Sequence, residues 1–332
     1  MDGSGRTTLL RPRPDDPNKA PLENALEIIE LGVLGPDIFT NARQGWHPPG
    51  ARGIFGGVPI AQTIAAGQRT VGEGFVIHSC HCYFLLAGSN SIPIMYHVER
   101  VRDGRSFATR TVQARQRGKC IFTSTISFVK AGSGGKKQIR HAVDMGNEKP
   151  HGPVEATDVI EWKGVEVTEE GAAPHKRKCK QWMKVKGKVT GGQDAHIEAL
   201  AYLTDSYFLG TIPRIHDLYK PPSPSSPSEF EGGESAGGTH PAARHVPVSD
   251  KPKIGMMVSL DHSIYFHEPS AIRADDWMYA EMESPWAGDG RGVVTQRVFS
   301  ADGTLLATCV QEGLLRLKQD EPVQDGKDKS KL

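Results

Sequence analysis

Asp205 shares a stripe with Ile197, Ala201 and Phe208, at the spacing of one helix face. A carboxylate on a face that otherwise packs inward is desolvated unless partners meet it, and a desolvated carboxylate is suited to accept a proton. The competing reading is a half-exposed aspartate near a helix end. Gln311 closes a row of Leu305, Ala307 and Cys309 on one strand face. Its amide is either a donor aimed into a cleft or the exposed end of that strand. Ser259 opens the run Ser259-Leu-Asp-His-Ser-Ile-Tyr-Phe266 without a GxSxG elbow, so it is not read as an acyl-forming nucleophile. Alone it is an ordinary serine.

Other reactive side chains point less far. The five cysteines, Cys80, Cys82, Cys120, Cys179 and Cys309, are scattered and hold no second CxxC-like pair, so packing thiols rather than a zinc site are expected. His262 and His267 would face opposite sides of one strand, which argues against a shared metal, although His262 adjoins the presumed cleft. The run His175–Lys188 is strongly cationic and reads either as an attractor of phosphates or as a solvated, edge-protecting strand. It lacks the interleaved aromatics of a nucleic-acid surface. Arg102-Asp-Gly104 reads as a turn, with Arg102 as a candidate phosphate contact.

The elements that would position these residues fall into two similar halves. The chain has 332 residues, 37% hydrophobic and 24% charged, with a net charge of +1, which suits one large or two ordinary soluble domains and demands no polyanionic partner. The N-terminus has neither a secretory nor a transit pattern, and the most apolar region, Ile54 to Gly67, is too short for a membrane span. In the first half a short helix is predicted over Pro21–Leu31 and a small-residue helix within 53–67, then strands at 78–86, 92–102, 107–115 and 120–129. The second half offers a strand over 181–189, a helix capped by Asp194 and running to Leu209, then strands at 257–266, 277–284, 292–299 and 304–318. Helix then antiparallel strands, twice, predicts a duplicated α+β fold. The segment Pro221–Pro252 is rich in Pro, Ser, Gly and Glu and reads as a mobile loop. The chain ends Ser330-Lys331-Leu332, the tripeptide read by the peroxisomal import receptor.

Several blocks in order resemble the type II acyl-CoA thioesterase family. They are Phe55-Gly-Gly, His78-Ser-x-His-x-Tyr-Phe-Leu85, Arg102-Asp-Gly-x-Ser-Phe107, Asp261-His-Ser-x-x-Phe-His267 and Val310-Gln-Glu-Gly313. The resemblance spans Leu22 to Lys318, with gaps at the central linker and the 221–252 insertion. It implies a double hotdog: tandem repeats over 20–131 and 161–318, each a long helix wrapped by an antiparallel sheet, a linker at 132–160 and a tail at 319–332. It implies hydrolysis of fatty acyl-CoA to fatty acid and CoA in the peroxisomal matrix, without metal or cofactor. By the same resemblance Asp205, Ser259 and Gln311 hold and activate the water. The expected substrate contacts are Gly56 and Gly57 of the paired-glycine block, Arg102 from its turn and His262 from its place beside the cleft. Ser259 stands where bacterial relatives have Thr, and Val58 where they commonly have Gln. One hotdog repeat normally pairs with another, so the chain supplies its own pseudo-dimer, and a homo-oligomer of such chains is compatible with it. Two other readings of such a fold are a non-catalytic acyl-CoA binder or regulator and an enoyl-CoA hydratase. The latter pairs an Asp with a nearby His, and here none follows Asp205 before His216.

Overall fold

Alternation of side chains builds most of this molecule. In Phe107–Gln116, every second residue from Ala108 is buried, and Arg291–Ser300 repeats the pattern. The computed structural model describes residues 13–48, 51–169, 171–220, 246–247 and 251–319. Most of the 221–252 insertion and the Ser330-Lys331-Leu332 terminus lie outside those residues.

The first half runs α1 (Pro21–Leu26), β1 (Ile28–Glu30), β2 (Ile38–Asn41), α2 (Gly57–Gln68), β3 (Phe75–Phe84), β4 (Met95–Asp103), β5 (Phe107–Gln116) and β6 (Lys119–Lys130). The second runs β7 (Glu155–Ala156), β8 (Ile160–Val167), β9 (Lys178–Val185), α3 (Gly192–Thr204), α4 (Thr211–Ile215), β10 (Tyr219–Lys220), β11 (Val246–Pro247), β12 (Ile254–Ser259), β13 (Asp261–Phe266), β14 (Met278–Gly288), β15 (Arg291–Ser300) and β16 (Leu305–Leu317). One antiparallel sheet carries the order β1-β2-β4-β5-β6-β3-β13-β16-β15-β14-β9-β8-β7, with β12 also on β16. Outward from the β3–β13 seam, where Ser263 faces His81, the two arms match strand for strand, with β7 as an extra strand at one end. That symmetry is the predicted duplication.

Inside the sheet α2 and α3 pack against each other. The small residues of α2 permit close approach: a Cβ on Gly57 would stand 2.7 Å from the Tyr202 carbonyl oxygen of α3. Ile60 and Ile64 are fully buried and each contributes about 1.5–3 kcal/mol by leaving water. A Gly57→Ala substitution would force the two helices apart.

Several local expectations are corrected. The helix predicted over Pro21–Leu31 stops at Leu26, because Ile28 to Glu30 pair with β2. Helix α3 is preceded by Gly191, not capped by Asp194, and the Glu23 carboxylate accepts from the Gly191 N–H at 2.7 Å. It ends at Thr204 rather than Leu209, and Tyr207 there has a left-handed φ of 64°. The cationic run is no sheet edge. Strand β9 lies between β14 and β8, and Lys178, Lys180 and Lys184 are paired with Glu281, Glu148 and Glu161.

Candidate active site

The end of α3 meets the start of α2. Asp205 caps the C-terminus of α3, and the Gly57 backbone N–H and the Gln311 side-chain amide are the polar groups that draw its carboxyl toward the ionised form. The first N–H groups of α2 have no intrahelical acceptor, so a carboxylate there meets both a donor and the positive end of the helix. Gly56 leaves the room: a Cβ at that position would stand 2.7 Å from Asp205 Oδ2 and 2.7 Å from the Phe84 ring.

Gln311 lies mid-strand in β16 and is fully buried. Its Nε2 donates to Ser259 Oγ at 2.5 Å, and its Oε1 stands 2.7 Å from His262 Nδ1. On a regular strand Ser259 and His262 would point to opposite faces. They meet the same amide because a β-bulge separates them. Ser259 pairs with Gly313 and Ser263 with Val310, so the run through Leu260 and Asp261 carries one residue more than its partner. The bulge is fastened at Glu312: Leu260 N–H donates to its carbonyl at 2.9 Å, and its N–H donates to Asp261 Oδ1 at 2.8 Å. The single strand predicted over 257–266 is therefore two strands, β12 and β13, and the break between them assembles the site.

These groups border a cavity of about 930 Å³ whose lining includes Asp205, Ser259, Gln311 and Gly56, with Phe84, Phe122, Leu209 and Met257 as apolar wall. Asp205 is half-buried because one side of it faces that space. Burial pushes its carboxyl up to about 7, against the opposing pull of the hydrogen bonds from Gln311 and Gly57. A carboxyl titrating there holds or releases a proton near neutral pH, as a general base requires.

Two expected substrate contacts are placed elsewhere. Arg102 is exposed on β4, paired with Thr109, several strands from the seam, and does not line the cavity. His262 is fully buried behind Gln311 and also outside the lining. Burial pushes its imidazole down to about 4, so it is neutral at physiological pH and not positioned to touch substrate. Gly57 reaches the site through its N–H, while Gly56 lines the cavity. Sequence reasoning missed Thr204, whose Oγ1 stands 3.0 Å from His262 Nε2, and two cations on the lining, Arg52 and Lys318. Thr204 precedes the recognised aspartate and carried no signal of its own. Among the described residues no cluster of three or more His, Cys, Asp or Glu side chains could hold a metal, and no helix is long and apolar enough to cross a membrane.

Comparison with known proteins bears on the family and the fold. Acyl-CoA thioesterase N-terminal and C-terminal domain profiles match residues 43–129 and 140–315. The chain belongs to the acyl-CoA thioesterase family. It is similar to mouse acyl-coenzyme A thioesterase 8, 32% identical over 323 residues, covering 88% of each chain. It is also similar to the peroxisomal acyl-coenzyme A thioester hydrolase 1 of Saccharomyces cerevisiae, 26% identical over 365 residues, covering 89% of this chain and 95% of the yeast protein. Among solved structures, acyl-CoA thioesterase II TesB2 from Mycobacterium marinum superposes with a TM-score of 0.67 at 26% identity, over 90% of this chain and 98% of that one. A hot dog fold protein from Alicyclobacillus acidocaldarius gives 0.64 at 16% identity over 89% and 97%, which bears on the fold alone. The expected family and double hotdog fold of this thioesterase are borne out.

Proposed function

We propose that this acyl-CoA thioesterase cleaves fatty acyl-CoA to fatty acid and CoA with a water held between Asp205, Ser259 and Gln311. The observation that carries the reading is that Asp205, Ser259 and Gln311 line one cavity, with the Gln311 amide donating to Ser259 at 2.5 Å and stabilising the ionised Asp205 carboxylate. Ionised Asp205 takes a proton from the water as its oxygen attacks the thioester carbonyl. The Ser259 hydroxyl, the Gln311 amide and the α2 N-terminus are the donors available to orient that water and to meet the oxyanion of the tetrahedral intermediate. The intermediate collapses with the CoA thiolate leaving, and the serine forms no acyl ester. The apolar wall of Phe84, Phe122, Leu209 and Met257 suits an acyl chain, and Arg52 and Lys318 suit CoA phosphates. The working units we place at 20–131 and 161–318, joined by 132–160, a division supported by the symmetric strand order. We also place the protein in the peroxisomal matrix, delivered by the import receptor through Ser330, Lys331 and Leu332; the tripeptide and the peroxisomal yeast relative support this.

The test is thiol release from a panel of acyl-CoA thioesters of graded chain length. Release is expected from fatty acyl-CoA, and binding without release from any member of the panel would leave only a carrier.

A further inference from the structure

A carboxamide has a donor end and an acceptor end of nearly equal size, and turning it over costs nothing sterically. For Gln311 the two orientations are chemically opposite. With Nε2 toward Asp205 and Ser259 the amide donates to the carboxylate; turned over, it sets an oxygen lone pair against that charge. Within the water-binding trio only the ionised Asp205 carboxylate favours the first orientation, a preference that fades when it is protonated, and Ser259 Oγ can donate or accept. A lock that does not depend on that charge lies behind it.

We propose that His262, held by Thr204, is a positioning residue that locks the Gln311 amide with its NH2 group toward Asp205. The argument rests on proton counting along one buried chain. His262 Nδ1 lies 2.7 Å from Gln311 Oε1, and His262 Nε2 lies 3.0 Å from Thr204 Oγ1. His262, Gln311 and Thr204 are all buried, with 0% exposure each. A neutral imidazole carries one proton and therefore has two states. Protonated on Nδ1, it donates to Gln311 Oε1 and accepts at Nε2 from the Thr204 hydroxyl, which fixes the amide in its donating orientation. In that state the single hydroxyl proton of Thr204 is shared between Nε2 and the Ala201 carbonyl 2.8 Å away. Protonated on Nε2, the ring donates to Thr204, whose proton stays wholly with that carbonyl. Nδ1 is then an acceptor, and only an amide turned the wrong way would satisfy it. An ionised Asp205 favours the first state from the other side of the amide, so the two ends of the chain agree. The edge-on packing of Phe208 on His262, 5.3 Å between ring centres at 79°, keeps the ring in the plane this requires. This inference rests on the thioesterase reading above.

The two imidazole nitrogens can be tested separately. Asn reproduces the Nδ1 donor and Gln the Nε2 position. His262→Asn is expected to keep kcat within about tenfold of the parent, since the bond to Gln311 survives and only the link to Thr204 is lost. His262→Gln and His262→Phe are expected to lower kcat about 100-fold with KM unchanged, because the amide loses its orientation but the cavity does not change. Thr204→Val, a near-isosteric change, is expected to lower kcat about tenfold. Nitrogen NMR of the wild-type protein at pH 8.5, with labelled histidine, is expected to report the Nδ1–H tautomer for His262. Wild-type turnover in His262→Gln, Asn falling as far as Phe, or an Nε2–H tautomer in the parent would overturn the assignment. If Asp205→Asn retained full activity the thioesterase mechanism itself would fail, whereas loss at Asp205 with no loss at His262→Gln refutes only this inference.

Discussion

The two helix junctions of this double hotdog are related by the internal repeat and have opposite chemistry. Each helix opens on paired glycines, Gly56-Gly57 and Gly191-Gly192, and thirteen residues past the second glycine stand Thr70 in the first half and Asp205 in the second. The sheet rows correspond as well. In the second half His262 and Gln311 lie side by side on adjacent strands, with Val294 opposite Gln311. In the first half the row is Cys80, Ile126 and Arg110. There the Arg110 guanidinium is fully buried and donates to Thr70 Oγ1 at 2.8 Å and to the Thr70 carbonyl at 2.9 Å, while pairing with Asp103. The helix N-terminus at that end is closed by Glu23. One junction is thus satisfied internally by hydrogen bonds. The other leaves a carboxylate desolvated beside a cavity. Duplication lets one copy hold the fold while the other bears the cost of chemistry.

The contrast can be broken from either side. Asp205→Asn should lower kcat by about 10³-fold or more, as expected for loss of a general base together with its charge. The same variant should melt higher than the parent at pH 8. Folded Asp205 titrates at about 7 against an ordinary value of 3.8, so ionising it opposes folding. The protonated folded form is fully favoured below 3.8, that advantage is lost as pH rises to 7, and an asparagine avoids the loss; calorimetry from pH 4 to 8 should show the gap widening. Gln311→Ala should cost about 2–4 kcal/mol in kcat/KM if the amide serves the transition state. At the mirror end the outcome reverses. Arg110→Met should destabilise by about 2–4 kcal/mol, since the Thr70 oxygens lose buried donors, while kcat of the folded enzyme stays unchanged. In the parent, kcat/KM should fall tenfold per pH unit below about 7 and level off above it, because only ionised Asp205 accepts a proton. The smallest effect belongs to Ser259→Thr, which keeps the hydroxyl and should remain within about threefold of the parent.

What was legible beforehand follows from range. Strand alternation is local, so the core strands from β3 to β6 and from β14 to β16 stand close to where the pattern put them. Asp205, Ser259 and Gln311 were found through short blocks, and the structure brings them together. The bulge at Leu260-Asp261 was invisible, because an extra residue matters only relative to the partner strand around Glu312. On an unbulged strand His262 would point away from Ser259. Thr204 was missed for a similar reason: its partner is 58 positions away, and a threonine within a helix has no local mark of that contact. Arg102 was assigned to substrate from a turn motif, which says nothing about the distance across the sheet to the seam.

The most direct measurement is a single turnover of fatty acyl-CoA by excess enzyme in water enriched in oxygen-18. Attack by a water that Asp205 deprotonates puts one heavy oxygen into every molecule of fatty acid and none into the protein. Unlabelled acid in that first turnover, or heavy oxygen in the Asp205 carboxyl, would mean that the carboxylate attacked the thioester itself, and the account given for this site would be wrong.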